Sequence, residues 1–193
     1  VLFGFVLRAE DGIRGLVRAR GLGEFYKRRV MRGLKRGKAD FGIESRIIVC
    51  AIRNQSEKIS SRLADLATAW FDRGVVGFDL AGEEAGHPPK DHLEAFNTIE
   101  RANGSITIHA GEGFGPESIW QALQYCGAHR IGHGTRLMEA MARWAGKGIR
   151  LGRLAKFVPD PRVPLAICLS SHLQTGAAPA LTRPPHHIRP HRL

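Results

Sequence analysis

Three short apolar runs, RIIVCAI (46–52), GVVGFDLAG (74–82) and SITIH (105–109), each lead into a stretch of helical period. That alternation is the tightest limit on what this chain can become. Continuous apolar runs rich in β-branched residues suit strands covered on both faces. After the first run, SEKISSRLADLATAWFDRG sets Ile59, Leu63, Leu66 and Trp70 on one helical face, and Gly74 stops it. After the second, the polar loop EEAGHPPKDH leads into a helix with Leu93, Phe96 and Ile99 on one side. After the third comes PESIWQALQYCG, with Pro116 near its first turn and Gly127 at its end. RIGH (130–133) reads as a fourth strand and VPLAICLSS (163–171) as a fifth. Between these two, LGRLAKFV places Leu151, Leu154, Phe157 and Val158 at helical spacing. A β-α series of this kind builds a parallel sheet, either open and doubly wound or part of a (β/α)8 barrel.

The 193 residues are enough for one domain with a sizeable core. No apolar run reaches the ~18 residues a membrane span requires. The opening VLFGFVLRAEDG is too short and too soon charged for a secretory signal. The 3 cysteines, Cys50, Cys126 and Cys168, form no CxxC, which suits reduced thiols and a cytoplasmic location.

The net charge of +11 belongs mostly to the ends. Residues 1–40 hold 11 basic and 4 acidic groups, and residues 181–193 hold 3 Arg and no acid. Between them, 15 basic groups face 14 acidic ones, an ordinary neutral domain. The stretch KRRVMRGLKRGK could suggest a nucleic-acid partner, but no aromatic interleaving accompanies it, and a solvated helix face is the favoured reading. Residues 1–38 form a basic segment with a weak helical tendency around Val17–Leu34, and 178–193 a disordered Pro/Arg/His-rich tail. Residues 39–177 are the patterned unit.

Sites in parallel α/β folds lie beyond the carboxyl ends of the strands. There the chain offers Asp79, Gly82 and Glu83 after the second strand, His109 and Glu112 after the third, and His133 after the fourth. Ser170, Ser171 and His172 end the fifth. One strand-end histidine is more often a satisfied structural residue than a ligand. Two of them with a glutamate on adjacent strands shift the balance toward a site.

HAGE (109–112), RIGHG (130–134) and the preceding VVGFDLAGE (75–83), with LGRLAKFV and PLAICLSS following at compatible spacing, resemble the adenosine deaminase family. The resemblance runs from about Arg36 to Ala177. It implies an α/β fold, a partial (β/α)8 TIM barrel of about five of the eight βα units, and hydrolytic deamination of a purine nucleoside with zinc (Zn2+) as cofactor. It implies that His109 is a zinc ligand, that Glu112 donates a proton to the purine ring, and that His133 orients the attacking water. Gly82 would offer its backbone N–H to the purine. Asp79, Ser170 and Ser171 receive no role beyond capping or hydrogen bonding around the site. Cytidine-type deaminase chemistry is excluded, since it requires a P-C-x-x-C.

The family pattern also includes an H-x-H on the first strand and an Asp-Asp pair on the last, and neither occurs in this sequence. His172 stands where the family usually has Asn. The expectation is therefore a chain truncated at both ends, flanked by Arg- and Pro-rich sequence of the kind an interrupted reading frame produces. Such a chain is expected to be inactive alone and to expose sheet edges through which it could self-associate. A non-catalytic fragment or scaffold is the alternative.

Overall fold

The computed structural model describes residues 3–6, 22–144, 148–158 and 163–174. Within them, β2 (Ser45–Ile52), β3 (Val75–Ala81), β4 (Ser105–Ala110) and β5 (Arg130–His133) pair side by side, all parallel. Each new strand adds beside its predecessor. With β1 (Phe3–Val6) at one edge and β8 (Leu165–Ala166) at the other, the order is β1-β2-β3-β4-β5-β8. A doubly wound sheet reverses its strand order partway. A sheet that only advances is the winding of a (β/α)8 barrel, so the sequence alternative resolves toward the barrel.

The helices sit where the apolar period placed them. In α2 (Glu57–Thr68), Leu63 is buried and Ile59 and Leu66 pack against the core, as does Trp70 just beyond it. In α3 (Leu93–Arg101), Phe96 and Ile99 are fully buried, and the Phe96 ring meets Phe78 of β3 edge-on at 5.8 Å. Helix α4 (Pro116–Gln124) starts at Pro116, whose missing N–H needs no partner in the first turn, and buries Ile119 and Ala122. These side chains close over Ile47, Leu80, Ile106, Ile108 and Ile131 of the sheet, forming one continuous core.

Three segments depart from the sequence reading. The N-terminal region supplies β1, paired with β2 from Phe3↔Ser45 to Val6↔Ile48, and a helix α1 (Leu22–Phe41) longer than its weak period suggested. The run 163–171 is not one strand: only Leu165–Ala166 pair with β5, and LSSH begins a short helix, α6 (Leu169–Gln174). An apolar run cannot by itself distinguish strand from helix, and here the chain turns after two paired residues. Leu151 belongs to an antiparallel hairpin of β6 (Met141–Trp144) and β7 (Gly148–Leu151) rather than to the helix after it. That helix, α5 (Arg153–Phe157), buries Leu154 and, just past its end, Val158, while Phe157 stays exposed. The tail 178–193 lies outside the described residues. No helix among the described residues is long and apolar enough to cross a membrane.

Candidate active site

The strand-end residues do converge. Asp79, near the end of β3, is buried and lies 3.0 Å from Nδ1 of His109 on the adjacent strand. The contact puts the imidazole proton on Nδ1 and leaves the Nε2 lone pair of the neutral ring available as a donor. Burial works against a charged His109 ring, but the Asp79 hydrogen bond and charge, with Glu112 adding to them, hold its pKa above the ordinary histidine value. Gly132 faces His109 across the sheet, and a Cβ there would lie 3.1 Å from the His109 Cα and 3.2 Å from its ring. The glycine of RIGHG therefore makes room for the histidine of HAGE.

His133 follows at φ 67°, the left-handed region uncommon for a residue with a side chain. Such backbone persists where the surroundings impose it, and such positions gather at functional sites. Its ring centre is 5.1 Å from that of His109. Its Nδ1 lies 3.4 Å from Oε1 of Glu112 and 3.0 Å from Nε2 of His172. Burial lowers the His133 pKa; the pull of Glu112 is opposed by His109 and His172 beside it.

Glu112 is fixed from several directions. Ser171 on α6 donates its hydroxyl proton to Glu112 Oε1 at 2.7 Å. The backbone around it is clamped by Glu84, whose carboxylate accepts the N–H groups of Gly111, Glu112 and Gly113 at 2.9, 2.9 and 3.3 Å. From the other side, the Thr135 hydroxyl donates to the Gly111 carbonyl and the Arg136 guanidinium to that of Glu112. Arg53, buried and with its pKa lowered by that burial, donates to the carbonyls of His87 and His109 and so ties the β2, β3 and β4 ends together. Gly82 sits at the end of β3 with φ 101°, and a Cβ there would lie 3.1 Å from Ile52. This is a conformation and a space suited to glycine.

Sequence reasoning singled out His109, Glu112, His133 and Gly82 and left Asp79 and Ser171 without a role; the structure gives Asp79 to His109 and Ser171 to Glu112. Glu84 and Arg53 were missed. Glu84 stands beside Glu83 in the EE pair after LAG, and a buried member of such a pair next to a glycine-rich turn is the signal available. Among the described residues, the His/Cys/Asp/Glu group whose donor atoms lie close enough to share one ion is Glu112, His133 and His172, all within 4.8 Å of one another.

An advancing parallel sheet thus brings histidines and a glutamate, side chains able to donate to a metal or to move a proton, to adjacent strand ends on one rim. The family model for adenosine deaminase matches residues 19–188. The chain belongs to the adenosine deaminase family. It is 49% identical over 138 residues to adenosine deaminase 1 of Streptomyces coelicolor, a match covering 72% of this chain and 34% of that protein. The chain thus spans about a third of that relative's length. Among solved structures it is similar to the adenine deaminase of Arthrobacter aurescens, with a TM-score of 0.69 at 26% identity over 81% of this chain and 44% of that one. It is also similar to an amidohydrolase from Burkhoderia ambifaria solved with bound Zn, with a TM-score of 0.53 at 26% identity over 55% of this chain and 30% of that one.

Proposed function

We propose that this chain carries one side of a zinc-dependent adenosine deaminase centre, the type that converts adenosine to inosine and ammonia. The observation that carries the reading is the fixed pair Glu112–His133 next to a His109 whose Nε2 is left as a metal donor by Asp79. Glu112 is the proton donor to the purine ring nitrogen. Its environment suits that task, since a carboxyl with a hydroxyl donor and a histidine within reach can exchange a proton without moving. His133, buried and kept toward its neutral form, orients the attacking water. Gly82 presents its backbone N–H to the base, where a side chain would stand in the way.

The zinc fits these residues in part. His109 is the residue that would hold it, through Nε2 backed by Asp79. Zinc, when bound, lowers the pKa of a water toward roughly 7 so that hydroxide can attack the amino-bearing carbon. A catalytic zinc centre has three protein ligands as a rule, and the H-x-H and Asp-Asp motifs that would complete the family set do not occur in this sequence. The chain by itself therefore neither holds zinc in the family manner nor deaminates adenosine. Its place is cytoplasmic, in keeping with its free thiols.

A chimera tests both halves. Residues 45–144 are placed into the matching segment of the Streptomyces coelicolor relative, and ammonia release from adenosine is measured. The chimera is expected to be active and to lose activity on Glu112→Gln, while this chain alone releases none. A folded, zinc-loaded but silent chimera overturns the site assignment. Stoichiometric zinc and ammonia release from this chain alone, abolished by Glu112→Gln, overturns its inactivity.

A further inference from the structure

We propose that Glu112, His133 and His172 form a transition-metal site of their own, separate from His109. His172 is the residue that makes it. It is fully buried on the first turns of α6, and its Nε2 faces Nδ1 of His133 at 3.0 Å. Glu112 Oε1 stands 3.4 Å from that same Nδ1. Two nitrogens bound to one ion at about 2.1 Å lie about 3.0 Å apart at a right angle and about 3.4 Å apart at a tetrahedral angle. The two spacings from His133 Nδ1 fall at these values, and all three donor atoms lie within 4.8 Å of one another; an ion that enters replaces the hydrogen bond between the two rings.

The chemistry of the set selects the ion. Two imidazoles and one carboxylate suit Zn2+, Co2+ or Fe2+ and discriminate against Mg2+ and Ca2+, which favour all-oxygen shells. The trio is well enclosed: the His133 side chain is 7% exposed and that of Glu112 16%. A largely enclosed carboxylate beside two imidazole rings gains from a divalent charge what it loses in hydration. The supporting partners are also in place. Ser171, next to His172 on the same helix, donates to Glu112 Oε1 and fixes the carboxylate, as outer hydrogen bonds do around metal ligands. One short helix thus supplies both a ligand and the group that orients another.

The site bears directly on the proposed chemistry. A Glu112 that ligates a metal cannot donate a proton, and a His133 whose Nδ1 lone pair is taken cannot use that atom to orient a water. An ion in this trio is an inhibitor of the deaminase arrangement, not its cofactor. The inference does not depend on the chain being active.

The test is a Co2+ titration of the chelator-stripped chain, followed by the visible absorption of the bound ion. One equivalent is expected to bind, with excess Mg2+ unable to displace it. His172→Asn and Glu112→Gln are each expected to weaken binding at least tenfold, while His129→Ala, an exposed histidine at the opposite end of β4, leaves it unchanged, and circular dichroism without metal verifies the fold of each variant. X-ray absorption of the zinc-loaded unmutated chain gives a second measurement that needs no variant, with two imidazole ligands and oxygen expected. Absence of stoichiometric Co2+ binding, unchanged affinity in His172→Asn, loss of binding in His129→Ala, or a single imidazole ligand each overturns the proposal. Ammonia assays play no part in these outcomes, so failure of the deaminase reading and failure of this site are read separately.

Discussion

The Asp79 carboxylate, buried at the end of β3, holds Nδ1 of His109 on β4 through contacts of 3.0 and 3.1 Å. Neighbouring parallel strands place the two residues near each other, and the hydrogen bond then sets which ring nitrogen carries the proton. It also raises the pKa of His109 against the opposing effect of burial. In chelator-treated protein the His109 ring is therefore expected to titrate above the ordinary histidine range. Asp79→Asn should bring it below, because burial then acts with less opposition. The stability consequence has a definite sign. A histidine whose pKa is higher folded than unfolded stabilises fully below its unfolded value, and the contribution fades as pH rises through the folded one. Urea unfolding should show the gap between wild type and Asp79→Asn widening as pH falls from about 8.5 to about 6. Imidazole NMR titration measures the pKa directly, and an unchanged His109 in Asp79→Asn would sink the assignment.

Glu84 is expected to be among the most sensitive polar positions in the chain. Its carboxylate accepts three backbone N–H groups from the Gly111–Gly113 turn while remaining buried. Hydrogen bonds to a charged acceptor are worth about 1.5–3 kcal/mol each, and donors left buried without partners add a desolvation cost. Partial relaxation of the turn brings the expectation for Glu84→Ala to a loss of about 3 kcal/mol, with Glu84→Gln losing less because one oxygen acceptor remains. Chemical denaturation of both variants checks the order. Equal losses would show that the charge and second oxygen carry the whole effect and that the amide oxygen kept by Gln contributes nothing.

The cysteines should separate cleanly by reactivity. Cys50 and Cys126 are buried, and that burial pushes both thiols up, Cys126 to about 12, so neither offers a thiolate at neutral pH. Cys168, between β8 and α6, is exposed. A thiol-specific chromogenic reagent is expected to modify Cys168 in the native protein and the other two only after denaturation. Fast native labelling of Cys50 would mean that the β2–β3 packing opens readily.

Much of this architecture was legible in the sequence because its parts are local. RIIVCAI, GFDLAG and SITIH declare strands by composition, and Ile59, Leu63, Leu66 and Trp70 declare a helix by spacing. The parts that were not legible depend on distant partners. FGFV (3–6) is a glycine-broken stretch that becomes a strand by pairing with β2. CLSSH continues an apolar run, and the helix begins where Ser171 and His172 reach Glu112 and His133, 59 and 39 residues away. Glu84 stands out only as one of the Glu83-Glu84 pair, and its role lies in amides 27 to 29 residues further on. The same holds for Arg53, whose acceptors are carbonyls 34 and 56 residues away. A residue's type predicts which bonds it can make, but the fold decides which groups come within reach.

The outer strands supply the last prediction. The sheet ends in β1 on one side and in the two-residue β8 on the other, and neither has a further strand beside it among the described residues. Parallel strands with free edges present unpaired N–H and C=O groups, which another chain can complete. Ile167, immediately after β8, is 45% exposed and adds apolar surface at that edge. A second copy of this chain is the partner that brings an equivalent edge. Sedimentation velocity should show the weight-average mass rising with concentration, and Ile167→Lys should shift the protein toward monomer by placing a charge at the edge. The substitution is made at an exposed position, so its effect on stability should stay within about 0.5 kcal/mol. A monomer at every concentration would mean that the edges are protected.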